Sequence, residues 1–177
     1  MADEPAAKKP KLESHTMNIN NAVDKAHEGK TLKEILDEPV SALQGIAEWS
    51  DEVLSELNLS SVADLAKWKY GVWAVAIVNL APFEIVGKRE PSSELNIDAF
   101  LDKSYETKGL QEILEAPLSA IQGLSEKAAE SLGKVRIKTV GDLGNWKFLK
   151  MAQAIGVLAS GEQTETSKQE RELAKLK

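Results

Sequence analysis

The chain has 177 residues, of which 42% are hydrophobic and 28% are charged, and its formal net charge is −6. This composition supports a buried core, and the absence of cysteine excludes disulfides and thiolate metal sites. No apolar run approaches the ~18 residues of a membrane span. The N-terminus has no apolar segment of the kind found in secretory signals, so we expect a soluble intracellular protein without membrane contact.

Residues 1–16 combine proline, alanine and charge without a periodic apolar face, which predicts a flexible tail. Within this tail, residues 5–13 read Pro-Ala-Ala-Lys-Lys-Pro-Lys-Leu-Glu. The stretch resembles the nuclear import signal of the Myc transcription factor, Pro-Ala-Ala-Lys-Arg-x-Lys-Leu-Asp. The resemblance implies that Lys8, Lys9 and Lys11 bind a nuclear import receptor and that the protein is nuclear. A solvated basic tail on a cytoplasmic protein is the alternative.

The rest of the chain contains an internal repeat. Residues 17–81 align with residues 95–159 at a constant offset of 78, without a gap and with 28 identities over 65 positions. A unit of this length is a small domain rather than one turn of a solenoid. We therefore predict two homologous helical modules, the first repeat at 17–81 and the second at 95–159. A linker at 82–94 joins them, and a polar C-terminal tail at 160–177 can form a charged helix.

Each repeat is predicted to be all-α, with about five short helices and no strand-like alternation. The predicted helices of the first repeat lie at 19–27, 31–36, 40–43 and 48–57, followed by a short helix from Ser61 and an apolar helix from Trp68. The second repeat has the same order, beginning with a helix at 97–105. Local signals support these bounds: Thr31 and Glu34 form a capping-box pattern, and Ser61 and Thr139 are suitable N-caps.

A glycine turn follows the third predicted helix of each repeat, at Gly45-Ile46-Ala47 and Gly123-Leu124-Ser125. With the residues around it, this turn resembles the helix-hairpin-helix motif, whose pattern is apolar-x-Gly-apolar-Gly followed by a helix. The resemblance covers 39–66 and 117–144. In that family the hairpin grips one DNA strand through its backbone, because glycine allows close approach and the helix N-terminus favours a phosphate.

Both turns depart from the family pattern at the second glycine, which is Ala47 in one repeat and Ser125 in the other. The first turn is followed by Glu48, Asp51 and Glu52, which would repel phosphate. Around the second turn the sequence places a set of cations: Lys127, Lys134, Arg136 and Lys138. This degeneration favours use of the frame for protein contacts, with weak, sequence-independent DNA binding by the second hairpin as the alternative.

Charge also separates the two repeats. Residues 17–81 carry five lysines and ten acidic residues, a net charge of −5, whereas residues 95–159 carry eight of each sign. Trp49 is specific to the first repeat, because Lys127 stands at the equivalent position. A tryptophan beside acidic residues at the mouth of the hairpin is a candidate anchor for a protein partner, although it can equally pack on the core.

The sequence gives little support for catalysis. Neither His15 nor His27 recurs in the other repeat, and there is no cysteine nucleophile, phosphate-binding glycine loop or metal-ligand spacing. We expect neither a metal site nor a cofactor. The sequence thus predicts a non-enzymatic nuclear adaptor that binds one or more proteins, and it leaves the oligomeric state open.

Overall fold

The structure, a computed structural model, describes residues 14–163 and 165–177, and nothing in this part of the chain forms a β-strand. The all-α prediction is therefore confirmed. The nine α-helices of the described residues are α1 (Leu32–Leu36), α2 (Trp49–Ser55), α3 (Val62–Lys67), α4 (Lys69–Leu80), α5 (Leu110–Glu115), α6 (Glu126–Lys134), α7 (Val140–Gly144), α8 (Lys147–Ala159) and α9 (Glu165–Lys175). Short 3₁₀ helices connect them. No helix in this part of the chain is long and apolar enough to cross a membrane.

The helix predicted at the start of each repeat is wrong. Residues 19–27 form two separate 3₁₀ turns, Asn20–Ala22 and Lys25–His27, and residues 97–105 do the same. Between the turns, Val23 forms an isolated antiparallel bridge with Leu43, and Leu101 pairs equivalently with Ile121. The amide of Asp24 donates to the carbonyl of Ala42 at 2.9 Å, so a non-local backbone pairing replaces the local helix.

The predicted caps are confirmed. Thr31 and Glu34 form a capping box at α1, and Ser61 and Thr139 each form one with the aspartate three residues later. In each box the hydroxyl accepts from a backbone N–H of the first turn and the carboxylate accepts from the N-cap amide. These contacts satisfy donors that a short helix otherwise leaves unpaired.

The two repeats exchange their last helices. The α4 helix of the first repeat packs mainly on α5 and α7 of the second repeat, and α8 of the second repeat packs mainly on α1 and α3 of the first. Each of these helices has more contact with the opposite repeat than with the preceding helix of its own. The buried apolar residues consequently form one cluster that draws on both repeats. The duplication produces a single core with approximate twofold symmetry.

Small residues allow the exchanged helices to approach closely. Gly144 of α7 lies against Ala74 and Val78 of α4, and a Cβ added at Gly144 would overlap the Ala74 carbonyl. The equivalent crossing in the other half places Gly156 of α8 against the Cβ of Ala66. Both contacts join sequence positions that the repeat relates by 78 residues. The two halves therefore use the same crossing geometry.

Two glutamates that follow the exchanged helices accept hydrogen bonds from the opposite repeat. The Glu162 carboxylate, just beyond α8, accepts from the amides of Leu32 and Lys33 at 2.7 and 2.8 Å, at the start of α1. Glu84, just beyond α4, accepts from the amides of Leu110 and Gln111 at 2.7 and 3.1 Å, at the start of α5. The two residues are 78 positions apart, so the structural correspondence of the repeats continues into residues 82–94 and 160–177.

Candidate interaction surfaces

Both hairpin turns contain a glycine with a positive φ, 98° at Gly45 and 88° at Gly123, as expected for a tight turn. Gly45 and Ala47 are exposed in the first turn, with Ile46 half-buried. In the second turn Gly123 and Ser125 are exposed, whereas Leu124 is buried. Each turn therefore anchors one apolar residue and leaves its flanking residues towards solvent.

An aromatic ring from the opposite repeat lies on each hairpin glycine. The Tyr70 hydroxyl of α4 donates to the Gly123 carbonyl at 3.0 Å. A Cβ added at Gly123 would lie 2.9 Å from the same hydroxyl oxygen. At the first turn, a Cβ added at Gly45 would lie 3.6 Å from the ring of Phe148, the residue equivalent to Tyr70. The exchanged helices thus cover part of the backbone of each glycine turn.

The four predicted phosphate-contact residues differ in their surroundings. All four are exposed, but the Lys134 ammonium lies 3.8 Å from the Glu56 carboxylate, and the backbone amide of Lys138 donates to Asp142 at 3.0 Å. Arg136 adopts a left-handed φ of 66° and lines an open groove beside α7 and the start of α8. The Ser125 hydroxyl accepts from the backbone amide of Ala128 at the start of α6.

The Glu56 carboxylate contacts two side chains of α6, those of Ser131 and Lys134. The Ser131 hydroxyl donates to its carboxylate at 2.7 Å, and this hydrogen bond lowers the pKa of Glu56, with further lowering by the nearby ammonium groups of Lys134 and then Lys127. Glu56 and Lys134 are equivalent positions of the two repeats. One of the four predicted cations, Lys134, is therefore paired with an acidic residue of the first repeat.

An open groove of about 610 Å³ lies beside α7 and the start of α8. Arg136, Asp142, Trp146 and Lys147 are among the residues that line it. The Asp142 carboxylate faces backbone amides, chiefly that of Lys138 and also that of Thr139, and these hydrogen bonds lower the pKa of Asp142 against the opposing effect of burial. The sequence did not predict this groove, although nearly all of the residues that line it lie within 135–147.

Trp49 is the first residue of α2 and is 56% exposed. It therefore does not pack into the core, which was the alternative left open by the sequence. Glu48 and Glu52 beside it are exposed. Asp51, by contrast, is engaged internally: its carboxylate accepts from the amide of Ser41 at 2.9 Å and from the Ser41 hydroxyl. The surface around Trp49 combines an exposed indole with the carboxylates of Glu48 and Glu52, which form no hydrogen bond or ion pair within the part of the chain that the structure describes.

The other tryptophans are half-buried. Trp73 of α4 stacks on Phe100 of the second repeat, with ring centroids 4.4 Å apart and an interplanar angle of 23°. Trp68 and Trp146 occupy the N-cap positions of α4 and α8, each with an edge-on aromatic two residues later. These rings belong to the contacts within and between the repeats, in keeping with a packing role.

A further exposed apolar segment was not predicted from the sequence. It begins at the last residue of α4 and comprises Leu80, Phe83, Ile85 and Val86, which are 59%, 80%, 73% and 71% exposed. The available signal was the offset of 78, which aligns Phe83 with Gly161 and Ile85 with Gln163. An apolar residue in one repeat opposite a polar one or a glycine in the other marks a surface that the shared frame does not require.

Lys8, Lys9 and Lys11 lie outside the described residues. Within the described ranges, no group of three histidine, aspartate or glutamate residues is arranged to hold a metal ion. Searches against protein-family models, curated proteins and solved structures find no match to this chain.

Proposed function

We propose that this chain is a non-enzymatic adaptor, and that it binds another protein through the surface formed by Trp49, Glu48 and Glu52. The observation that carries the proposal is the exposure of Trp49 on a short helix whose other large apolar residues, Val53 and Leu54, are buried. Tryptophan is the residue type most enriched at binding hot spots, and its burial by a partner removes a large apolar area from water.

Comparison of the repeats supports this reading. The second repeat has Lys127 where the first has Trp49, and both residues are exposed at the first turn of equivalent helices. The shared fold therefore has no need of an indole at this position. The carboxylates of Glu48 and Glu52 favour a partner whose apolar pocket is bordered by basic side chains.

A capture experiment with quantitative mass spectrometry tests the adaptor proposal. The bait is the full chain, incubated with nuclear extract in parallel with Trp49→Lys, which installs the residue of the second repeat. We expect at least one protein whose capture falls by roughly 30-fold in the variant, the loss typical of a hot-spot residue. The control Lys127→Ala changes the equivalent position and should capture the same protein. If no captured protein depends on Trp49, the proposal is wrong.

We further propose that residues 5–13 direct the protein to the nucleus through Lys8, Lys9 and Lys11. The support is the sequence resemblance alone. Fusion of residues 1–16 to a cytosolic reporter should move the reporter into the nucleus, and replacement of the three lysines by alanine should abolish the movement. A reporter that remains cytosolic would exclude this signal.

DNA binding through the second hairpin remains the alternative proposal. Its support is the exposure of Lys127, Arg136 and Lys138; the Tyr70 contact to Gly123 and the Lys134–Glu56 pair weigh against it. Duplex DNA titrated at low and moderate salt distinguishes the two functions, because phosphate contacts give a steep salt dependence. We expect no measurable binding. Binding that is lost when Arg136 and Lys138 are changed to glutamate would favour the alternative.

A further inference from the structure

The exposed segment after α4 is held in place by its central residue. Glu84 caps α5 through the amides of Leu110 and Gln111, and the Gln111 side-chain amide donates to the Glu84 carbonyl at 3.0 Å. Glu84 contacts the start of α5, whereas its neighbours Phe83 and Ile85 are 80% and 73% exposed. The segment therefore presents apolar side chains from an anchored backbone rather than from a free loop.

The second repeat shows that the anchor does not need these apolar residues. Glu162 makes the equivalent contacts with the amides of Leu32 and Lys33, yet its neighbours are Gly161 and Gln163. The two halves thus provide an internal comparison, with the same glutamate cap and different flanking residues. Phe83 and Ile85 contribute nothing that the cap requires, and their exposure to water is unfavourable in an isolated molecule.

We infer that the segment 80–86 is a self-association surface, and that two copies of this chain pack it against itself across a twofold axis. The inference is independent of the proposed adaptor function. The four apolar side chains expose roughly 500 Å² together, so a symmetric contact that covers all of them completely would bury on the order of 1,000 Å², which is typical of a weak interface. A twofold contact uses the same patch on both molecules and closes after two copies.

Local charge permits this contact although each copy carries a net charge of −6. The nearest carboxylate, that of Glu84, is committed to the start of α5. Lys88 and Arg89 follow the segment after Gly87 and reduce the repulsion between two acidic chains at this site. Since the attraction is apolar and the general repulsion is screened by salt, dimer formation should strengthen as salt is raised.

Sedimentation velocity on the full chain over a range of concentrations tests the inference. We expect a monomer–dimer equilibrium with a Kd on the order of 10–100 µM, as befits a small interface. The double variant Phe83→Gly/Ile85→Gln, which installs the residues of the second repeat, should weaken dimerisation at least tenfold. Ile85→Gln alone should also weaken dimerisation, and it should leave the contacts of Glu84 with α5 intact.

A matched control uses an exposed apolar residue on the other half of the molecule. Val157 is 71% exposed on α8, and Val157→Asn installs the residue that the first repeat has at that position. This variant, and Trp49→Lys, should dimerise like the wild type. A monomer at every concentration overturns the inference, as does a dimer that survives the double variant or is lost in Val157→Asn. None of these outcomes affects capture of a partner through Trp49.

Discussion

The hydroxyl of Tyr70 donates a 3.0 Å hydrogen bond to the carbonyl oxygen of Gly123, and so joins the last helix of the first repeat to the hairpin turn of the second. The equivalent contact places the Phe148 ring against Gly45 without a hydroxyl. The ring is thus common to both halves and the hydrogen bond is specific to one. Each glycine turn therefore packs against an aromatic side chain of the opposite repeat.

Tyr70→Phe should leave the fold intact and cost about 0.5–1.5 kcal/mol of unfolding free energy, the usual net value of one hydrogen bond. The cost is expected to be small because a phenylalanine, Phe148, already makes the equivalent contact with Gly45. Urea unfolding at pH 7 measures it. Tyr105→Phe is the control, since the Tyr105 hydroxyl forms no hydrogen bond within the described residues, and its stability should equal that of the wild type.

Gly144→Ala should destabilise the protein by about 2–4 kcal/mol, because the new methyl group would overlap the backbone carbonyl of Ala74, which cannot move without displacing α4. Gly133→Ala in α6 is the opposite case. A Cβ at Gly133 meets no atom within 4 Å outside its own helix, so this substitution should stabilise by about 0.5–1 kcal/mol. Equal effects of the two substitutions in thermal or urea unfolding would show that α4 and α7 do not cross at Gly144.

The glutamate caps should differ in their contribution to stability. At α1 the Thr31 hydroxyl caps the helix in addition to Glu162, whereas Gly109 provides no side-chain cap at α5. We therefore expect Glu84→Ala to cost about 2 kcal/mol and Glu162→Ala about 1 kcal/mol. The comparison uses denaturant midpoints at constant m-value. A larger loss for Glu162→Ala would contradict this division between the caps.

Stability should fall in acid, partly through Asp142 and Glu56. Hydrogen bonds from Lys138 and Ser131, respectively, lower the pKa of each carboxyl in the folded state. A lowered folded-state pKa means that the stabilisation is present above the unfolded value of about 4 and is lost as pH falls through the folded value. Asp142→Asn combined with Glu56→Gln should reduce the loss of stability between about pH 5 and pH 2. An unchanged loss would exclude both residues as its source.

Local signals in the sequence predicted the helices that depend on local contacts. Thr31, Ser61 and Thr139 cap helices at the predicted positions because the capping box involves only neighbouring residues. The helices predicted at 19–27 and 97–105 failed because Val23 and Leu101 pair with residues about 20 positions away, at Leu43 and Ile121. A sequence window of one or two turns does not contain that partner.

The exchange of helices could not be predicted from periodicity. An apolar face shows that a helix is buried, but both repeats supply nearly the same surface, so α4 could pack on α3 or on α7 by the same criterion. The candidate surfaces were likewise predictable only where they did not depend on contacts between the repeats. Trp49 was identified as a candidate because the second repeat has a lysine at the equivalent position. The pairing of Lys134 with Glu56 was not predicted, because the two residues are 78 positions apart in the sequence.

The exchange itself is tested by separating the repeats. Residues 14–94 and 95–177 are expressed as two polypeptides, and circular dichroism with sedimentation velocity follows each one alone and the equimolar mixture. We predict that neither polypeptide is a folded monomer, because α4 and α8 would lack the surfaces on which they pack. The mixture should form a one-to-one complex with a cooperative thermal transition. A polypeptide that unfolds cooperatively as a monomer, with the stability of the intact chain, would contradict the single interlocked core.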